Sequence, residues 1–331
     1  MIAARRRHWN LALERAVHWA TELRKPLLIV EALSCSYRWA NFRFHTAILQ
    51  GMLDNFREFE NSGVLYYPFV ERFPSQGKGM MDMLARRACV VVTDDFPAFD
   101  IPRFIAAAAA QSLVLVEKVD SNGIFPMRAT ERIFATAHSF RRFLQTQVRT
   151  YLCQFPEPDP LADVELPPPV CPLLLRQRWP AATRQELAHP ERTSRAIAID
   201  QSVTPVSPFV GGAIAGRGRL KDFVQQHFKE YAEGRNDVEA DHASGLSPYL
   251  HFGHISAHEV FDAVMRKARW SSDRVEPKAN GSREGWWHAG PDAEAFVDQL
   301  LTWREIGFNM CSHNPEYDRY ESLPDWALKT L

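Results

Sequence analysis

The chain has 331 residues, 46% of them hydrophobic and 24% charged, with a formal net charge of −1; this is enough apolar material for a full core and enough length for two domains. No apolar run approaches the roughly 20 residues that span a bilayer, and Met1-Ile-Ala-Ala-Arg-Arg-Arg is followed by neither an apolar stretch nor a cleavage site. The five cysteines lack paired spacing, so reduced cytosolic thiols are expected in place of a disulfide framework or a zinc site; the protein is expected to be a cytoplasmic monomer with no membrane partner.

In chain order, Leu13, Ala16, Val17 and Ala20 share one helical face, and Pro26 then opens the buried-strand pattern Leu27-Leu28-Ile29-Val30. Ile48, Leu49, Met52, Leu53 and Phe56 form a second helical stripe, and Val64-Leu65-Tyr66-Tyr67 is the next strand. A helix over 79–87, the strand Cys89-Val-Val-Val-Thr93, an Ala-rich helix near Pro102 and the strand Leu113-Val-Leu-Val116 continue the alternation. Residues 1–150 are therefore expected to form an α/β domain with a doubly wound parallel sheet. The series opens on a helix where such a domain normally opens on a strand, so a first strand is expected to be missing.

Phe155 to Pro172 holds seven prolines, which excludes regular structure there and marks 151–205 as a Pro-rich, semi-rigid linker. Past residue 205 the strand signal ends. Leu220, Phe223, Val224 and Phe228 define one helix; Ser256-Ala-His-Glu259 has the spacing of a capping box ahead of a second; a third is expected over 292–308. Residues 206–331 read as an all-helical domain. Ser322-Leu-Pro-Asp325 starts one more helix that the chain leaves after about two turns, so this domain is expected to be incomplete.

Charge is unevenly spread. Residues 1–150 carry 20 Lys and Arg against 14 Asp and Glu, whereas 206–331 carry 14 against 19. Charge alone does not point to a nucleic-acid stripe.

The densest local signal is Ala243-Ser-Gly-Leu-Ser-Pro-Tyr-Leu-His-Phe-Gly253. Ser247 followed by Pro248 is expected to cap a helix, with free N–H groups and hydroxyls that suit a phosphate. On these residues alone an ordinary capped helix is the favoured reading. His251, His254 and His258 could face one way as metal ligands, but Gly253 and Ser256 interrupt the helix between them. Gly211-Gly-Ala-Ile-Ala-Gly216 lacks the preceding strand of a dinucleotide loop. Asp94-Asp95 ends a strand and is expected to be a solvated turn.

Ser-Gly-Leu-Ser-Pro-Tyr-Leu-His-Phe-Gly-His-Ile-Ser resembles the motif of photolyases and cryptochromes at the FAD pyrophosphate, and its wording is similar to class II photolyases. Gly211-Gly212 with Ala215, Trp303-Arg304-Glu305, Glu284-Gly-Trp-Trp287, Tyr317-Asp-Arg-Tyr320, Val92-Thr-Asp-Asp95 and Val119-Asp-Ser-Asn-Gly123 extend the likeness over nearly the whole chain. The resemblance implies a deoxyribodipyrimidine photolyase: reduced FAD, excited by light, donates an electron to a cyclobutane pyrimidine dimer in DNA. It places Tyr231, Ser244, Gly245, Leu246, Ser247 and Arg304 against FAD, Arg235 and Trp303 against DNA, and Gln299 with Trp303 at the dimer. An antenna chromophore of unspecified identity is also implied. Two positions depart from the pattern, Ala243 in place of threonine and Gln299 in place of glutamate. The alternative is a non-catalytic, cryptochrome-like flavoprotein or an inactive remnant.

Overall fold

A computed structural model describes residues 1–239 and 242–330. Helix α1 (Leu11–Leu23) starts where the Asn10 side chain accepts from the N–H groups of Ala12 and Leu13, and it leads into β1 (Leu28–Leu33). Helix α2 (Phe42–Phe59), capped by Asn41, is followed by β2 (Leu65–Val70), α3 (Met80–Ala85), β3 (Val90–Asp94), α4 (Ile101–Gln111), β4 (Leu115–Val119) and α5 (Ala137–Tyr151). The expected alternation is present, and each strand extends to within a few residues of its apolar run.

The sheet is not the single doubly wound sheet expected from the sequence. Strands β1 and β2 pair in parallel, from Leu28 opposite Leu65 to Leu33 opposite Val70, and β3 and β4 pair in parallel, from Val90 opposite Leu115 to Asp94 opposite Val119. A cavity of about 60 Å³, lined by Ile29 and Val30 of β1 and Val92, Thr93 and Asp94 of β3, separates the two pairs. Residues 1–3 bridge it without forming a ladder. The Met1 amine donates to the Val30 carbonyl at 3.0 Å, and the N–H groups of Ile2 and Ala3 donate to Asp94 Oδ2 at 2.6 and 2.8 Å. Asp94 and Asp95 are consequently buried, which corrects the solvated turn: Asp95 pairs with Lys118 and Arg128.

Residues 152–172 have no helix or strand, as their prolines require. The rest of the expected linker is structured. Helices α6 (Leu173–Arg178), α7 (Arg184–Ala188) and α8 (Pro190–Arg195) send Leu175, Trp179 and Leu187 fully inward. Leu175 and Trp179 pack with Tyr67 and Phe69 of β2, and Leu187 packs with Leu49 of α2. Conversely, α5 and the strand-to-helix segment before it enter the other core: Phe125, Phe140, Leu144 and Val148 cluster with the C-terminal helices. The chain therefore crosses twice between two packing units, and the apolar stripes decide where each segment settles.

That helical unit contains α9 (Ala213–Asp222), which continues as a π-helical turn (Phe223–His227), then α10 (Tyr231–Gly234), α11 (Ser247–His251) and α12 (Ala257–Lys267). The helix expected over 292–308 is α13 (Pro291–Val297), a second π turn (Asp298–Trp303) and α14 (Arg304–His313). A short α15 (Asp325–Leu328) follows. Ser256 caps α12 through the His258 N–H, but the expected capping box is half made, because Glu259 accepts from Arg217 at 2.8 Å instead. Among the described residues no helix is long and apolar enough to cross a membrane.

Candidate functional site

The glycine-serine turn is shaped by a residue that sequence reading did not single out. From α9, Arg219 donates to the carbonyls of Ser244 at 2.7 Å and Ala243 at 2.9 Å. Gly245 takes φ +64°, where a β-carbon would stand 2.6 Å from Arg219 Nε, so both conformation and space call for glycine. Ser247 is the first helical residue and Leu246 the cap, one position from expectation, and no side chain caps this helix. Leu246 is buried, Ser244 half-buried, and Gly245 and Ser247 are exposed. Below the turn, Tyr249 donates to the Val210 carbonyl at 2.9 Å and ties it to the start of the helical unit.

Tyr231 points into the core. Its ring meets Phe223 and Phe296 edge-on at 5.5 and 5.4 Å, and it is 7% exposed. Burial raises its phenol above the ordinary range. Asp292 holds the start of α10 by accepting from the N–H groups of Glu230 and Ala232. One turn on, Arg235 donates to the Ala295 carbonyl of α13 at 3.3 Å, while its buried Nε has no partner among the described residues. Arg235 thus lies along the helix that leads into the second π turn.

On that π turn, Gln299 and Trp303 are both exposed, Trp303 by 54%. Residues four apart share one side of a helical segment, so an amide and an indole stand together on an open face. Their neighbours on the turn, Leu300, Leu301 and Thr302, are buried. Arg304 is half-buried and lines a small cavity with Leu250, Gly253 and Ile255. Its Nη1 donates to the Asn122 carbonyl at 2.6 Å and its guanidinium lies 4.6 Å above the Phe308 ring. The structure therefore brings Gln299, Trp303 and Arg235 to one helix pair.

Glu305 was part of a quoted motif but had no assigned role. It is buried, and its two oxygens accept from the N–H groups of Ile124 at 2.8 Å and Phe125 at 3.1 Å. Gly123 leaves the room, since a β-carbon there would stand 2.4 Å from Glu305 Oε1. Burial raises this carboxyl from 4.5 to about 8, against the opposing pull of Arg304 and the two N–H groups. Nothing in the local pattern flags such a contact, because its partners are backbone groups about 180 residues away.

The open turn at 244–247, with exposed glycine and hydroxyl groups, suits the anionic end of a dinucleotide.

The chain is 25% identical to the deoxyribodipyrimidine photo-lyase of Methanothermobacter thermautotrophicus over 335 residues, covering 100% of this chain and 64% of that protein. It is 26% identical to the deoxyribodipyrimidine photo-lyase of Arabidopsis thaliana over 333 residues, covering 97% of this chain and 60% of that protein. No family model matches the chain. A bacterial class III photolyase from Agrobacterium tumefaciens superposes on all of this chain and 63% of its own length, with a TM-score of 0.60 at 17% identity. These relatives and folds support the photolyase/cryptochrome family. The fold is photolyase/cryptochrome-like, with mixed helices and small parallel sheets. The chain spans 64% and 60% of the lengths of the two photolyase relatives.

Proposed function

We propose that this chain is a class II deoxyribodipyrimidine photolyase-type flavoprotein that acts on pyrimidine dimers in DNA. The observation that carries the reading is the exposed Gln299–Trp303 pair on the π turn, with Arg235 on the adjoining helix. Photolyases as a class work on nucleotides turned out of the duplex, and a dimer costs less to extrude than an intact step. Trp303 offers the splayed bases a stacking face. The Gln299 amide both donates to and accepts from base edges, without the charge of a carboxylate. Arg235 supplies the positive charge for the DNA backbone.

FAD would be held at its phosphates by Ser244, Gly245, Leu246 and Ser247, with Tyr231 behind them. When bound, FAD supplies light-driven one-electron chemistry. The non-catalytic, cryptochrome-like alternative is favoured by one observation: Gln299 stands where the family's pattern has a carboxyl group.

The test is a paired assay at fixed salt with dimer-containing and intact oligonucleotides, after titration of the protein with FAD. Trp303→Ala should weaken discrimination for the dimer by about 1–3 kcal/mol, the usual worth of a base–aromatic stack. Gln299→Glu should raise repair per photon and leave the flavin spectrum unchanged. Saturable flavin binding and dimer preference without any repair in either protein would favour the non-catalytic reading. Equal loss of affinity for both oligonucleotides in Trp303→Ala would show the indole to be structural.

A further inference from the structure

Gln299 and Trp303 stand on a π turn, a geometry that is rare and persists where neighbours over-determine it. Both ends of this turn are fastened to one stretch of chain, residues 122–145, which crosses from the α/β unit into the helical core. At the leading end, Arg141 Nε and Nη2 donate to the two oxygens of Asp298 at 2.7 and 3.1 Å. The side chains of this two-bonded pair are only 14% and 5% exposed, and Arg141 Nη1 also donates to the Gly281 carbonyl at 3.1 Å. At the trailing end, Arg304 reaches the Asn122 carbonyl, and Glu305 takes the N–H groups of Ile124 and Phe125. Further along the same face of α14, Asn309 exchanges bonds with the Phe134 N–H and the Arg132 carbonyl at 3.2 and 2.9 Å.

The fastenings are specific. A guanidinium with both carboxylate oxygens fixes an orientation as well as a distance. Glu305 bonds backbone groups whose positions are set by the chain. Between the two clamps, the exposed side chains of Gln299 and Trp303 make no comparable bond among the described residues. The register of the indole relative to the amide is therefore decided by the clamps.

We propose that Arg141, through Asp298, and Glu305, through the 124–125 backbone, are positioning residues that hold Gln299 and Trp303 together as one recognition face. This rests on the reading that Gln299 and Trp303 meet the dimer. It adds that selectivity for the lesion depends on residues buried beneath the face.

The experiment uses the full chain and three variants, Arg141→Ala, Arg141→Lys and Glu305→Gln. Amide hydrogen exchange is followed over 298–305, with Ala257–Lys267 of α12 as control, and thymine-dimer and intact oligonucleotides are bound at fixed salt. In Arg141→Ala, exchange over 298–305 is expected to rise about tenfold with the control unchanged. The dimer-over-intact ratio should fall about fivefold while affinity for the intact strand stays within about twofold. Arg141→Lys should fall between, because an ammonium keeps the charge and loses the two parallel bonds. Unchanged exchange over 298–305, or a rise shared equally by α12, would overturn the proposal. Should Arg141→Ala fail to fold, Arg141→Lys and Glu305→Gln decide by the same two readouts. A parent protein that shows no dimer preference defeats the reading of the face, while the exchange comparison still decides the clamps.

Discussion

Glu305 joins a titrating group to a mechanical role. Its carboxyl is raised from 4.5 to about 8 chiefly by burial, with Asp120 adding to the rise and Arg304 and the Ile124 and Phe125 N–H groups opposing it. A raised folded value means that the folded state prefers the protonated form. The stability it contributes is fully present below about 4.5 and is lost as pH rises through about 8. Thermal midpoints measured from pH 5 to pH 9 should fall toward the alkaline end, and Glu305→Gln should flatten that decline because an amide does not ionise. A variant whose midpoints follow the parent's pH dependence would place the alkaline loss elsewhere. Ser247 teaches the converse at the same scale. It was expected to cap a helix, yet it is exposed and no side chain caps that helix, so its truncation should cost little stability and any effect on flavin would report contact.

At the scale of elements, α6 to α8 change the meaning of the 151–205 segment. Trp179 is 1% exposed, packs on Tyr67 and Phe69, and its carbonyl accepts from the Tyr67 hydroxyl at 2.8 Å. The Thr183 capping box starts α7 from both directions, with Glu186 accepting from the Thr183 N–H at 2.8 Å. Burial of this kind predicts that Trp179→Ala costs about 3–5 kcal/mol, as in other large-to-small core changes. Urea unfolding measures it, and a cost under about 1 kcal/mol would mean the segment is a surface strap. The two π turns belong to this scale too. Each interrupts a run that an apolar stripe of period 3.6 had drawn as continuous, and each sits beside Phe296 or the exposed Trp303 face.

For the whole molecule, the two packing units are joined by buried polar contacts as well as by the crossing segments. Arg6 is buried and donates to the carbonyls of Gly253 at 3.2 Å, Trp9 at 3.1 Å and Ser121 at 3.4 Å. Burial lowers its guanidinium to about 10, with Asp94 and Glu259 pulling the other way. Removing it strands carbonyls in the interior, each worth about 1–3 kcal/mol. Arg6→Ala should therefore lower stability by about 3 kcal/mol and broaden or split the unfolding transition as the units uncouple. Calorimetry checks both, and a single sharp transition at the parent's midpoint would show that the interface does not rely on Arg6.

The sequence by itself determined the elements whose signal is local. The apolar runs at 27–30, 64–67, 89–93 and 113–116 became β1 to β4, because period and β-branched content act within a few residues. The prolines of 155–172 excluded helix and strand there for the same reason. The motif at 243–253 drew attention to a turn that does need glycine at 245, although its shaping partner, Arg219, lies 25 residues upstream. Tertiary structure alone decided the rest. Whether β1 and β3 share one sheet depends on what lies between them, and residues 1–3 fill that place with bonds to Val30 and Asp94. Whether Leu175 and Trp179 stay in a linker depends on an apolar surface about 110 residues away. Where Arg304 and Glu305 point depends on backbone groups of 122–125, which carry no side-chain signature in the sequence. Local patterns set what each segment can be; the burial of apolar surface and the satisfaction of buried charge, both properties of the assembled chain, set what each residue does.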